Sequence, residues 1–183
     1  MLRERRRFTY SPAMTSVDTV RDAHAWLRWL TGRTLEACTA LPPDEFRREF
    51  PIGIGSVHAT LVHLVGAERI WIAVLEGSDA ALAMPSRDEL PDTAAIAAAW
   101  NDVRPRWDAY LAKVDERELA AVRVRIRDGK EFRQSVADIL MQVPTHALYH
   151  NAQLSFMFRS MGRSLPDSSW ILWGRDRLAG RAR

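Results

Sequence analysis

Two histidines four residues apart, His146 and His150, stand in the stretch Val143-Pro144-Thr145-His146-Ala147-Leu148-Tyr149-His150. On a helix, positions i and i+4 lie one turn apart on the same face, so both imidazoles project in one direction. Two nitrogen donors so placed offer a site to one divalent metal ion. A third protein ligand would complete a set that still leaves a position for water or substrate, which separates a catalytic site from a closed structural one. The chain has five histidines, so His24, His58 and His63 are the candidates for that third ligand.

The third ligand must come from another element. Val57 to about Glu76 reads as a helix, with Ser56 as its N-cap and Gly77 in the C-cap position. Leu61, Leu64, Val65, Trp71, Ile72 and Leu75 supply its core face. His63, Ala67, Ile70 and Val74 form a neighbouring stripe of mostly small side chains that leaves room beside the histidine. His58 and His63 are five positions apart, about 140° around the axis at 100° per residue, so one ion cannot engage both. His63 lies two turns inside the helix, whereas His58 is expected near its exposed start. His24, alone on the first helix, reads as a packing or partly exposed histidine. The candidate ligands are therefore His63, His146 and His150. Three imidazoles suit Zn, Ni, Fe or Cu, and the open position would acidify a water or hold a thiolate.

The remaining elements follow from caps and breakers. The first helix starts near Thr15, where Thr15-Ser16-Val17-Asp18 has capping-box spacing, and it ends before Pro42-Pro43. Asp44 to Phe50 offers a short helical turn, and Pro51 to Gly55 must be irregular. The third long helix runs from about Thr93 to Val114 and contains Pro105. The fourth begins at Ser135, with Asp138 three residues on, and stops at Gly162; Pro144 inside it should bend the axis near the histidine pair. Between helices three and four, Val122, Val124 and Ile126 alternate with Arg123, Arg125 and Arg127. With the turn Asp128-Gly129 and the return Glu131-Phe132-Arg133, this predicts a two-stranded ribbon whose arginine row is the solvated face. Leu165 to Trp173 is apolar enough to pack back on the helices. The fold class is all-α: a four-helix bundle with a small β-ribbon between helices 3 and 4.

Bulk properties agree. A chain of 183 residues with 47% apolar and 27% charged residues fits one globular domain, and seven tryptophans suit a dense core or an aromatic-walled pocket. Residues 1–13 and 175–183 each hold four arginines and one acid, +3 apiece, which leaves −3 on residues 14–174 of a chain carrying +3 in all. The positive excess thus lies on the tails and not on a folded face, which argues against nucleic-acid binding. The expected organisation is a disordered basic tail over 1–13, a bundle over 14–174 and a basic C-terminal tail over 175–183. A capped helix begins just after Met14, which makes Met14 a candidate start. One cysteine, Cys38, excludes an intrachain disulfide framework and suits a cytoplasmic protein. No secretory signal and no membrane span are expected, because the most apolar stretch, Val57 to Leu75, contains His58, His63, Glu68 and Arg69.

Three blocks resemble the DinB/YfiT-like superfamily of metal-binding four-helix-bundle proteins. Gly55-Ser56-Val57-His58 through His63 to Glu68-Arg69-Ile70-Trp71 is similar to the family's Gly-Ser opening, helix-two histidine and Glu-x-x-Trp. Val143-Pro144-Thr145-His146 through His150-Asn151-Ala152-Gln153-Leu154 resembles its His-x-x-x-His-Arg-Gly-Gln-Leu block. Met161-Gly162-Arg163-Ser164-Leu165-Pro166 resembles its Gly-x-x-Pro tail. The resemblance spans about residues 15–173. It implies up-down-down-up helix order and a three-histidine metal site at His63, His146 and His150. It also implies a divalent ion such as Zn, Ni or Fe, acting with a low-molecular-weight thiol or a water on a small-molecule substrate, as in thiol-dependent transferases or hydrolases. Homodimers are frequent in the superfamily. A non-catalytic stress-related metal- or ligand-binding protein is the alternative. The chain departs from the pattern at Thr145, where Asn is usual, and at Asn151-Ala152, where Arg-Gly is usual; Ala152 is expected to space the helices. Gln153 and Glu68 are candidate acceptors for the second ring N–H of a ligand histidine. Tyr149 is assigned to the core in preference to the pocket.

Overall fold

The computed structural model describes residues 15–78, 83–127 and 129–182. The expected basic tail over 1–13 and the candidate start Met14 lie outside the described residues. In chain order the elements are α1 (Val17–Thr39), α2 (Pro43–Arg47), α3 (Val57–Leu75), α4 (Thr93–Lys113), α5 (Glu116–Ala120), β1 (Val122–Arg127), β2 (Lys130–Ser135), α6 (Val136–Ser160) and α7 (Trp170–Leu178).

Each long helix begins where a short polar side chain replaces a missing carbonyl partner. Ser56 accepts from the Ala59 N–H at 3.1 Å, and Asp92 accepts from Ala95 N–H at 2.8 Å. Ser135 and Asp138 form the expected reciprocal capping box at the start of α6. At α1 the cap is Ser16, which accepts from Thr19 N–H, one position later than Thr15. Gly77, with φ of 75°, takes the left-handed turn that stops α3.

Helix directions follow from the contacts. Glu68 of α3 and Glu76 at its C-cap meet Trp100 and Arg106 of α4 in the same order, so these neighbours run parallel. His24 and Thr34 of α1 meet Leu140 and Asn151 of α6, again in the same order. Arg21 and Arg28 of α1 meet Leu111 and Asp108 of α4 in reverse order. Around the bundle the order is α1, α4, α3, α6, and the directions are up, down, down, up along the chain. The core between them holds Leu30, Leu61, Ile72, Ile96, Trp100, Leu140, Leu154 and Met157, each 2% exposed or less. Helix α3 is apolar and long enough to pass for a membrane span by composition, but 72% of its apolar window is buried inside the bundle.

The ribbon is present, with Arg125 paired to Phe132 and Val124 to Arg133, but its faces are reversed from expectation. Val122, Val124 and Ile126 are 50%, 50% and 76% exposed, while Arg123 and Arg125 turn toward the bundle. Arg123 Nε donates to the Leu75 carbonyl at 3.2 Å, and Arg123 also pairs with Glu118. The Arg125 guanidinium lies 4.8 Å from the Trp71 ring and 5.6 Å from that of Phe132. A helix C-terminus with unpaired carbonyls and an aromatic face beside it offer more to a cation than to a methyl group, and arginine buries its stem on the way.

The apolar C-terminal segment packs back as expected: Trp173 is 2% exposed, and its ring lies 4.8 Å from that of Trp170 with the planes tilted by 59°. The basic end that follows does not fray at residue 175. It stays helical through Leu178, and Arg177 Nη1 bonds both carboxylate oxygens of Asp22 at 2.8 and 2.9 Å.

Candidate metal centre

The antiparallel seam between α3 and α6 brings His63, His146 and His150 together. His146 Nε2 lies 3.1 Å from His63 Nε2 and 3.0 Å from His150 Nε2. The ring planes of the three pairs cross at 67°, 66° and 89°, so edges and not faces converge. At a tetrahedral ion with metal–nitrogen bonds of about 2.0–2.1 Å, two ligand nitrogens stand about 3.3 Å apart. The two spacings to His146 need only a few tenths of an ångström of adjustment to fit, and all three ligand atoms lie within 4.8 Å of one another.

Protonation also suits a metal. Burial pushes the His146 ring down to about 4, with the nearby His150 and His63 adding to the effect. Burial lowers His63, helped by His150, and lowers His150 as well, opposed by its hydrogen bond to Gln153. All three rings are then neutral at pH 7 and present lone pairs. His150 Nδ1–H donates to Gln153 Oε1 at 2.8 Å, which places the free lone pair of that ring on Nε2, the atom facing His146.

Gln153 is itself held. The irregular loop from Pro51 to Gly55 passes so close that a Cβ on Gly53 would sit 2.2 Å from Gln153 Oε1, and Gly53 has φ of 57°. Only glycine fits that approach without displacing the amide. A Gln153→Ala change should therefore lower metal affinity by about 10–100-fold, the usual effect of removing a ligand histidine's acceptor. Competition with a coloured chelator measures it, and an unchanged affinity would show that the His150 tautomer is set elsewhere.

Other expectations are corrected. Glu68 is no acceptor for the three rings: its Oε1 accepts from Trp100 Nε1 at 2.8 Å. Tyr149 is 63% exposed, not in the core, with its ring 5.2 Å from that of His150 at the mouth of the site. Ala152 is exposed and spaces nothing. Asn151 beside it is buried and donates to Thr34 Oγ1 at 3.0 Å, tying α6 to α1. His58 is 4% exposed rather than near a solvated end, bonded to the Leu90 carbonyl at 2.7 Å and packed on Phe46. His24, by contrast, is the packing histidine expected, 7% exposed, with its Nε2 meeting the Leu140 carbonyl at 2.9 Å.

Among the described residues, the three histidines form the group able to hold a metal, with ligand atoms within 4.8 Å of one another. No curated protein matches the chain. A solved DinB-like protein from Bacillus cereus ATCC 10987 aligns over 83% of this chain and 97% of its own, with a TM-score of 0.57 at 16% identity, which shows a shared fold. The model of the DinB family matches residues 15–172, nearly the whole of the described bundle, and the chain belongs to that family.

Proposed function

We propose that this protein is a divalent-metal-dependent enzyme that uses a low-molecular-weight thiol or a water as nucleophile, a thiol transferase or a hydrolase. The observation that carries this reading is the convergence of three neutral Nε2 atoms, with the His146 nitrogen 3.1 and 3.0 Å from the other two. A bound Zn, Ni or Fe ion would supply Lewis acidity at its open coordination positions. The protein's part is placement. Gln153 holds the His150 ring, the α3–α6 seam fixes His63 against His146, and Tyr149 stands at the exposed side where a small-molecule substrate would arrive.

We further propose a cytoplasmic homodimer. Leu148 and Phe156, 43% and 41% exposed, lie on the outer side of α6 and suit burial against a second copy. The alternative is a non-catalytic metal-binding protein, favoured by one observation: the three ligands join α3 to α6 and would brace the bundle.

The test is elemental analysis of tag-free protein prepared without chelator, followed by a screen of electrophiles with several low-molecular-weight thiols. About one ion per chain and a turnover lost on chelation are expected. A stoichiometric ion that raises the melting temperature with no turnover against any thiol or water would favour the bracing role.

A further inference from the structure

A second cavity lies on the opposite seam of the bundle, between α1 and α4, with α7 contributing Trp173 and Arg177. Its volume of about 490 Å³ is within the range of small-molecule sites. None of the three histidines lines it.

Four indoles, Trp29, Trp100, Trp107 and Trp173, line it, each 6% exposed or less. Such walls favour flat aromatic rings. The charge on the lining is uneven: four arginines (Arg21, Arg28, Arg104 and Arg177) face two acids, Glu68 and Asp108. Asp108 is taken by Arg28, and Arg177 is held by Asp22. Arg104 donates to Asn101 Oδ1 at 2.9 Å and forms no ion pair with a carboxylate among the described residues, although its charge acts on Glu68 through space. Trp107 is 3% exposed, yet its Nε1–H has no acceptor among the described residues. A buried indole N–H without a partner is unusual and marks an unfilled polar requirement. Glu68, fixed by Trp100, is pushed up to about 7 by burial, so its repulsion of an anion is reduced near neutral pH.

We propose that this cavity is a second ligand site, separate from the metal centre, for a small planar aromatic carboxylate. The rings lie against the indoles, and the carboxylate accepts from Arg104 and the Trp107 N–H.

The probe is 2-naphthoate titrated into the full-length protein, followed by calorimetry and tryptophan quenching, with the cationic 2-naphthylmethylamine as comparator. Saturable one-to-one binding of the anion, at least about tenfold tighter than the cation, is expected from a charge-assisted contact. Arg104→Met should weaken naphthoate about tenfold or more. Trp107→Phe, which keeps a ring and removes the N–H, should weaken it less. His150→Ala should leave it unchanged, which keeps this proposal distinguishable from the metal-enzyme reading. Absence of saturable binding, equal affinity for anion and cation, or indifference to Arg104→Met overturns the proposal. Loss of binding in His150→Ala would assign the ligand to the metal centre instead and overturn it too.

Discussion

His150→Ala protein, dialysed without chelator, is expected to emerge without stoichiometric metal. Structural zinc sites gain about 10–16 kcal/mol from four ligands, so one ligand is worth about 3–4 kcal/mol, or roughly a 100- to 1000-fold loss of affinity. His146→Ala should behave alike, because His146 Nε2 lies within 3.1 Å of both other ligand nitrogens. His58→Ala is the informative control. That ring is as buried as His150, but it is bonded to the Leu90 carbonyl, so its removal should lower stability and leave metal content intact. Elemental analysis with a folding check by circular dichroism reads both. Full metal in the His150 variant would sink the ligand assignment.

Glu68→Gln is expected to stabilise the protein at alkaline pH and to do nothing in acid. Burial raises the Glu68 carboxyl from 4.5 to about 7, against the weaker opposing pull of the Trp100 hydrogen bond and of Arg104 and Arg28. Below 4.5 the side chain is neutral in both folded and unfolded chains. As pH rises from 4.5 to 7 the unfolded chain ionises first, and the folded state loses stability; above 7 the cost is constant. Two and a half pH steps at about 1.4 kcal/mol each, discounted for the partial opening of this residue to the cavity, leave about 2 kcal/mol. Glutamine keeps the acceptor for Trp100 and removes the charge. His24 has the opposite slope, since burial lowers it from 6.5 to about 4 and folding disfavours its protonation as pH falls through that window. His146, lowered alike, adds to the His24 side, so Glu68 offsets only part of the histidine slope between pH 4.5 and 6.5 in the natural protein, and the variant should show that slope without the offset. Urea melts at pH 5 and pH 8 decide: an equal effect at both would mean that Glu68 is charged throughout.

The metal site was legible because it needs only helical phase. His146 and His150 share a face by spacing, and the 140° between His58 and His63, from about 100° per residue, forces a choice. The same arithmetic applies to Glu68, five residues after His63, and it places that carboxyl on the side of α3 that meets Trp100. Tyr149 follows similarly: Ala147, His150 and Leu154 take the inward positions of α6, and its neighbour must look outward. The ribbon was legible as a ribbon but not in its orientation. Alternation says which residues share a face, and only the Leu75 carbonyl and the Trp71 ring decide which face turns in. His58 was misplaced because its partner, Leu90, belongs to the long α3–α4 link and carries no mark of proximity in the chain.

The up-down-down-up order has a consequence for how the chain reaches its native state. Helix α1 packs on α4 and α6, and its anchoring contacts join His24 to Leu140 and Thr34 to Asn151, 116 and 117 residues apart. During synthesis α1 and α3 emerge first, and the bundle seats them on a diagonal. Closure of the α1–α6 seam is therefore among the last events of translation, and the entropy of joining such distant segments must be met in one late step. Until then the apolar α3 remains uncovered on its α6 side. The nascent chain is most exposed to aggregation just before α6 leaves the ribosome.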